Sequence, residues 1–416
     1  MPQTPPLHDA ALALAAGTES SASAAGSAAG PAHGSAAGSA AGSLSEPVVP
    51  LYGTSTLAQL LPAAAARCGV PGLSDVLGLP DATAYVVMLV DGLGASLLDE
   101  NAHAAPFLAS LRGRAPLTAC VPSTTATSIT SLGTGLEPGR HGVVGYTSRI
   151  PGTMTLLNAL TWDGRTDPVQ WQPYQSVFAQ VQAAGGHATV VSRGSFVGSG
   201  LTRVSQRGAS YVAAESAWER VDCTAEVAEL PVSLTYTYVS TLDHTGHERG
   251  CSSPEWVQTL REIDAEATAL RDALPEGTGL IITGDHGMLD VPDDRRIDAD
   301  ASSTLTDGVL LLGGEARFRH LWTAAGAADD VAATWQAELG DRAWVLTRDE
   351  AVQAGWFGSV DDAVRPRMGD VMVAARDDWA VLASRLFPVE TKMRGFHGSL
   401  TPTEMYVPLL VDVVGT

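Results

Sequence analysis

The chain alternates between short unbroken apolar runs and longer stretches with helical spacing. Residues 84–90 (AYVVMLV) are apolar throughout and stop at Asp91. Such a run is the pattern of a strand covered on both faces, as in parallel sheets. Comparable runs recur at 187–192 (HATVVS), 232–240 (VSLTYTYVS), 279–283 (GLIIT) and 407–413 (VPLLVDV). Helical patterns lie between them, at 125–133, 174–184, 254–273 and 327–339. The alternation predicts an α/β fold with a central, mostly parallel sheet and helices on both faces. In such folds a functional site lies just beyond the carboxyl ends of the strands.

Two stretches fit this alternation poorly. One is about 146–173, rich in Thr, Trp and Pro, and the other about 290–395; both are expected to be insertions or a cap over the site. Residues 1–46 are low-complexity Ala, Gly and Ser, with too little to bury against the entropy of ordering, and are expected to be a disordered tail. One domain is expected over 47–416, with no internal repeat.

Charge narrows the function classes. The 416 residues carry 25 Lys and Arg against 46 Asp and Glu, a formal net charge of −21. That balance argues against a nucleic-acid polymer or an anionic membrane as partner. An anionic small molecule remains compatible only where bound metal reverses the local field. The four cysteines are scattered and form no CxxC, so they read as free thiols rather than a disulfide or zinc framework. No segment approaches the length of a bilayer span. The N-terminus has no basic stretch, the first Lys or Arg being Arg67, so the expectation is a soluble, cytoplasmic protein. Its oligomeric state is left open.

Ionisable residues collect at the strand ends. Asp91 follows the first run; Asp243 and His247 follow the third; Asp285 and His286 follow the fourth; His397 precedes the last. Three carboxylates and three imidazoles suit zinc, with manganese as the alternative. Any one of them alone reads more simply as a turn, a cap or a hydrogen-bonded histidine; together at successive strand ends they read as a site. Thr124 and Thr125 sit just before a helix, where a hydroxyl faces free backbone N–H groups and the positive end of the dipole. Ser123 or Thr124 as a simple helix cap is the competing reading there.

The ordered set Asp91-Gly92, Pro122-Ser-Thr-Thr125, Thr134-Gly135, His141-Gly142, Tyr238, Asp243 to His247, Asp285-His286-Gly287 and His397-Gly398 resembles the alkaline phosphatase superfamily, within it the type I phosphodiesterase / nucleotide pyrophosphatase branch. The resemblance spans about 84–413. It implies an alkaline-phosphatase-like fold and a two-metal hydrolase for phosphodiester or pyrophosphate bonds, acting on a small phosphate ester or nucleotide-like substrate. One ion is implied at Asp91, Thr125, Asp285 and His286, and the other at Asp243, His247 and His397. Thr125, placed by its distance from Thr134-Gly135, is the implied nucleophile through a covalent phospho-threonine. Ser128 stands where the branch commonly has an Asn that donates to phosphate. Leu242 and Ala126 also depart from the pattern, replacing a Pro and an aromatic residue.

Rival readings have residues to carry them. A sulfatase would use Cys120 in C-x-P-x-R, but Thr124 occupies the Arg position. A phosphomonoesterase or phosphonate hydrolase would need an Arg at the phosphate, for which Arg149, Arg193 and Arg394 are candidates. A dinucleotide-binding loop at Gly92-Leu-Gly94 lacks its third glycine at Leu97. A catalytically inactive binding protein would lack a ligand, whereas all seven positions are filled. Trp162, Trp171, Trp218 and Trp256 are candidates for a hydrophobic pocket, with packing the simpler role.

Overall fold

The computed structural model describes residues 46–415. The tail expected at 1–46 therefore lies, Glu46 apart, outside the described residues. No described helix is long and apolar enough to cross a membrane.

The apolar runs form the central sheet. Strand β1 (Ala84–Val90) is buried along its whole length. Helix α1 (Thr125–Thr134) and helix α2 (Val177–Ala183) lead to β2 (His187–Ser192). Next come β3 (Ser210–Ala213), α3 (Ala217–Ala228) and β4 (Ser233–Val239). Helices α4 (Thr241–Arg249) and α5 (Pro254–Ala273) precede β5 (Thr278–Thr283). Together with the final strand they give six strands in the order last strand–β5–β1–β4–β2–β3. β1 is parallel to both β4 and β5, and β2 to both β4 and β3.

Alternate residues of β1 serve two cores. Tyr85, Val87 and Leu89 pack with Phe178 and Val181 of α2 on one face. Val86, Met88 and Val90 pack with Trp256, Leu260 and Ile263 of α5 on the other. Each fully buried Val, Leu or Met contributes roughly 1.5–3 kcal/mol, which explains the absence of polar residues in the run. This is the expected α/β architecture with helices on both faces.

The stretch 290–395 holds a second sheet. Strands β6 (Val309–Glu315), β7 (Phe318–Thr323), β8 (Ala343–Thr347) and β9 (Val371–Ala375) are arranged β6–β7–β9–β8. Every pairing in it is antiparallel. Helix α6 (Ala328–Leu339) covers one face through Val331, Trp335 and Leu339. The other face packs through Phe318 and Met372 on Val121, Val144 and Phe357. β7 reads as polar yet is almost wholly buried, because Arg319 pairs with Glu390 and His320 Nε2 meets the Val144 carbonyl at 2.9 Å.

The last run divides. Tyr406–Val407 pairs with Leu117–Thr118, and only β10 (Leu410–Val413) joins the main sheet, antiparallel to β5. Pro408 lies between them and has no N–H to give a ladder. None of the four tryptophans lines the cavity at the site described below, although Trp162 lines a second, more open one. Trp256 is core, Trp162 and Trp171 meet edge to face at 6.1 Å, and Trp218 is exposed.

Candidate active site

The strand ends of β1, β4 and β5 lie side by side, so their loops converge. Asp91 N–H donates to Val239 O at 2.9 Å, and Asp243 N–H donates to Asp91 O at 3.1 Å. Gly92 has φ +78°, and a Cβ there would meet Asp243 Cα and Cβ at 3.1 Å, so the turn after β1 needs glycine. The N–H groups of Gly92 and His286 both donate to Asp285 Oδ1 at 3.1 Å. Asp243 and His247 are four apart on α4, one turn of one face, with Asp243 Oδ1 3.4 Å from His247 Nε2.

The result is two adjoining clusters. In the first, His286 Nε2 lies 3.4 Å from Asp91 Oδ1 and 3.5 Å from Asp285 Oδ2. Thr125 Oγ1 sits on this cluster, 3.4 Å from Asp91 Oδ1 and 3.2 Å from His286 Nε2. In the second, His397 Nε2 lies 3.7 Å from Asp243 Oδ1 and 3.2 Å from His247 Nε2. The ligand atoms within each cluster fall within 4.8 Å of one another. The rings of His286 and His397 stack at 3.7 Å, joining the two.

Proton placement points the imidazoles inward. Nδ1 of His247, His286 and His397 faces the carbonyls of Gly395 (2.8 Å), Gly287 (3.1 Å) and Ser123 (3.0 Å). A carbonyl only accepts, so each Nδ1 carries a hydrogen, and in the neutral ring each Nε2 then presents a lone pair to the centre. The 3.2 Å approach of two such lone pairs is repulsive without a cation between them. Asp243 Oδ1 and Asp285 Oδ2 are buried without a hydrogen-bond donor. Burial, then Asp285 and Asp243 beside it, pushes the Asp91 carboxyl well above the usual carboxylate range, and burial raises Asp285. Burial, then the neighbouring His286 and His247, holds His397 well below its ordinary value. Converging imidazole nitrogens and orphaned carboxylate oxygens are the donor set of divalent cations such as zinc or manganese.

The match to the type I phosphodiesterase / nucleotide pyrophosphatase family model covers residues 85–400. The chain belongs to this family. Solved structures agree on the fold. Human ectonucleotide pyrophosphatase / phosphodiesterase 5 aligns at 20% identity and a TM-score of 0.64, over 79% of this chain and 87% of the other. The murine protein, solved inactive and in complex with AMP, aligns at 19% identity and 0.63, with the same coverage. The family membership read from the scattered motifs is borne out.

Within this family member, a cavity of about 510 Å³ opens on the two clusters. Thr124 and Thr125 line it, and so do Asp91, Asp243, His247 and His397. Thr124 is extended (φ −135°, ψ 148°) and its side chain caps nothing, so the simple-cap reading fails. The first-turn N–H groups of α1 stay open beside Thr125. Ser128 is different. It lies one turn into α1, fully buried and away from the cavity lining, and its Oγ has no partner among the described residues. By helical spacing it shares the side of α1 that carries Thr125, and the substrate contact expected at Ser128 stands as a proposal. Cys120 is likewise buried off the cavity, its thiol pushed by burial up to about 12, which disposes of a sulfatase-like nucleophile. Arg149, Arg193 and Arg394 do not line the cavity.

Sequence reasoning named Tyr238 and Ser123 only as members of the motif set, without their contacts, and missed Glu404 and Glu315. Tyr238 donates its hydroxyl to Asp91 Oδ2; its alternation with Tyr236 and Leu234 on β4 was the available signal. Ser123 binds the His397 loop with its N–H to Gly398 O (3.1 Å), its Oγ–H to Ser399 O (2.6 Å), and its Oγ accepting from Gly398 N (3.2 Å). Glu404 accepts from Ser399 N at 2.9 Å and from Arg317 Nε at 2.9 Å, and its own carbonyl takes Gly287 N–H at 2.8 Å. Glu315, at the end of β6, places Oε2 3.6 Å from His397 Nδ1. Nothing local in the sequence marks Glu404 or Glu315.

Proposed function

We propose that this family member hydrolyses phosphodiester or pyrophosphate bonds with two divalent cations and a covalent phospho-threonine on Thr125. The observation that carries the reading is Thr125 Oγ1 poised on one cluster of inward-facing ligands and next to the other. Asp91, Thr125, Asp285 and His286 would hold one ion, and Asp243, His247 and His397 the other. When bound, the pair supplies positive charge that favours an ionised oxygen nucleophile and offsets charge building on the phosphoryl oxygens.

The chain's own groups do the rest. Thr125 Oγ forms a bond to phosphorus as the bond to the departing ester oxygen breaks, and that oxygen leaves with a proton. Water then attacks phosphorus, and the Thr125 hydroxyl is released. The open N–H groups at the start of α1 donate to a non-bridging oxygen. Tyr238 holds Asp91 and the three backbone carbonyls hold the imidazoles in register. Tyr146 and Leu160, from 146–173, and Glu315 and Phe396, from the second sheet and the segment after it, close the cavity walls; this supports both segments as caps on one domain.

A monoester brings a second negative charge, and with no Lys or Arg in the lining nothing in the cavity wall meets it. Diesters are therefore favoured over monoesters. The AMP complex of the murine neighbour supports a small, nucleotide-like ligand. The test compares turnover of a bis-aryl phosphate, an aryl monophosphate and an aryl sulfate, with metal content measured on the same sample. Fastest turnover of the diester, abolished by chelation and restored by zinc or manganese, is expected; full activity without metal refutes the reading.

A further inference from the structure

Thr125 shares its cavity with an aromatic chamber built from α1 and the β2–β3–β4 half of the sheet. Ile129, Leu160, Phe196, Leu201, Tyr236 and Tyr238 line it. Phe196 and Tyr238 meet edge to face at 6.1 Å. The lining contains no Lys or Arg. Of its acids beyond the ligand clusters, Glu390 is paired with Arg319, while Glu315 brings a further carboxyl. A group bearing extra phosphate would enter a wall that offers no cation to neutralise it.

Beyond the ligand clusters, Ser192 Oγ, Glu315 Oε1 and the Tyr236 hydroxyl are unpartnered polar atoms of this lining, and the last of them belongs to its aromatic wall. Tyr236 is 1% exposed, and its ring is held edge to face by Phe178 at 6.3 Å. Its hydroxyl has no hydrogen-bond partner among the described residues, although Tyr238, two residues on, gives its own to Asp91. A buried, unpartnered hydroxyl on a cavity wall is a group kept ready for something that enters.

We infer that the chamber takes one arm of a phosphodiester as an uncharged, largely apolar group carrying a hydrogen-bond acceptor, and that the Tyr236 hydroxyl donates to that acceptor and sets specificity. This rests on the diester hydrolase reading and narrows it: an aryl or similar arm with a carbonyl or ring-nitrogen acceptor is selected, and a polyphosphate arm is rejected. Discrimination by a buried hydroxyl is strong because a ligand lacking the acceptor leaves the donor unmet.

The test uses the full chain loaded with zinc and carrying Thr125→Ala, so that binding is read without turnover. Calorimetry compares methyl 4-acetylphenyl phosphate, methyl phenyl phosphate and methyl triphosphate, which offers only a polyphosphate arm. The acetyl compound is expected to bind about ten-fold more tightly than the phenyl compound, and the triphosphate more weakly than either. Adding Tyr236→Phe, which keeps the ring and its packing, should bring the two aryl diesters within about two-fold. Phe196→Ala should weaken both diesters alike. Equal affinity for the two diesters, discrimination that survives Tyr236→Phe, or tighter triphosphate binding overturns the inference. Turnover of a bis-aryl phosphate by the unsubstituted chain is measured in parallel: its absence defeats the hydrolase reading, whereas turnover without discrimination defeats only the inference about the chamber.

Discussion

Removing and returning the metal tests the paired clusters most directly. Without cations, two Nε2 lone pairs face each other at 3.2 Å and the buried Asp243 Oδ1 and Asp285 Oδ2 lack donors. A ligand that binds only the folded state at a thousand times its dissociation constant stabilises it by about 4 kcal/mol. For the 370 described residues, 46–415, the unfolding entropy is roughly 0.8 kcal/mol/K. Each filled site should therefore raise Tm by about 5 °C, and both by about 10 °C. Asp285→Asn sharpens the test. Its Oδ1 still accepts from Gly92 and His286, and it removes a carboxyl whose ionisation burial opposes. The chelated variant should unfold at or above the chelated parent, yet lose about half of the zinc-induced shift. Differential scanning calorimetry of chelated and zinc-titrated protein reads both quantities. A Tm indifferent to zinc, or a full shift in Asp285→Asn, would refute the reasoning.

Three further outcomes are expected. Thr125→Ala should lower kcat on a diester by about 10³-fold or more with the thermal transition retained, as read by steady-state kinetics and calorimetry together. Tyr238→Phe, which removes the hydroxyl from Asp91, should weaken zinc binding by about 10- to 100-fold in a chelator competition, since positioning partners carry that much. His141 and His320 are buried with Nδ1 accepting from Val143 N and Gly369 N, and burial lowers them to about 3 and about 4. The unfolded chain binds those protons first, so their contribution is complete above about pH 6.5 and is lost as pH falls toward 4 and then 3. Urea midpoints measured between pH 7 and 4.5 should fall accordingly, and His141→Gln, tested in the same series, should flatten the fall.

Much of the site was legible because strand direction does part of the work. In a parallel sheet the polar residue that ends each apolar run arrives at the same edge, so the sequence alone places Asp91, Asp243 and Asp285 together. The spacing of Asp243 and His247 suits one helix face, which α4 supplies. Thr125 was reached by its motif. Ser128 lies nearly a full turn beyond Thr125 on the same helix, and whether a side chain there meets the cavity or the core depends on how the helix packs.

The sequence by itself determined the two-faced burial of β1, β4 and β5, the helices between them and which ionisable residues end those strands, because those follow from local periodicity and from where an apolar run stops. Tertiary structure alone decided the rest. The direction of β10 depends on its pairing with β5, not on its own residues. The antiparallel sheet of 309–375 was unreadable because β7 buries Arg319 and His320, whose polarity is satisfied only by Glu390 and the Val144 carbonyl, far away in the chain. The tautomers of the three histidines, the contacts that Ser123 and Glu404 make to the His397 loop, and the unpartnered Tyr236 hydroxyl are likewise products of long-range contact. A residue's type announces what chemistry it can do, but the partners that orient it are chosen by packing.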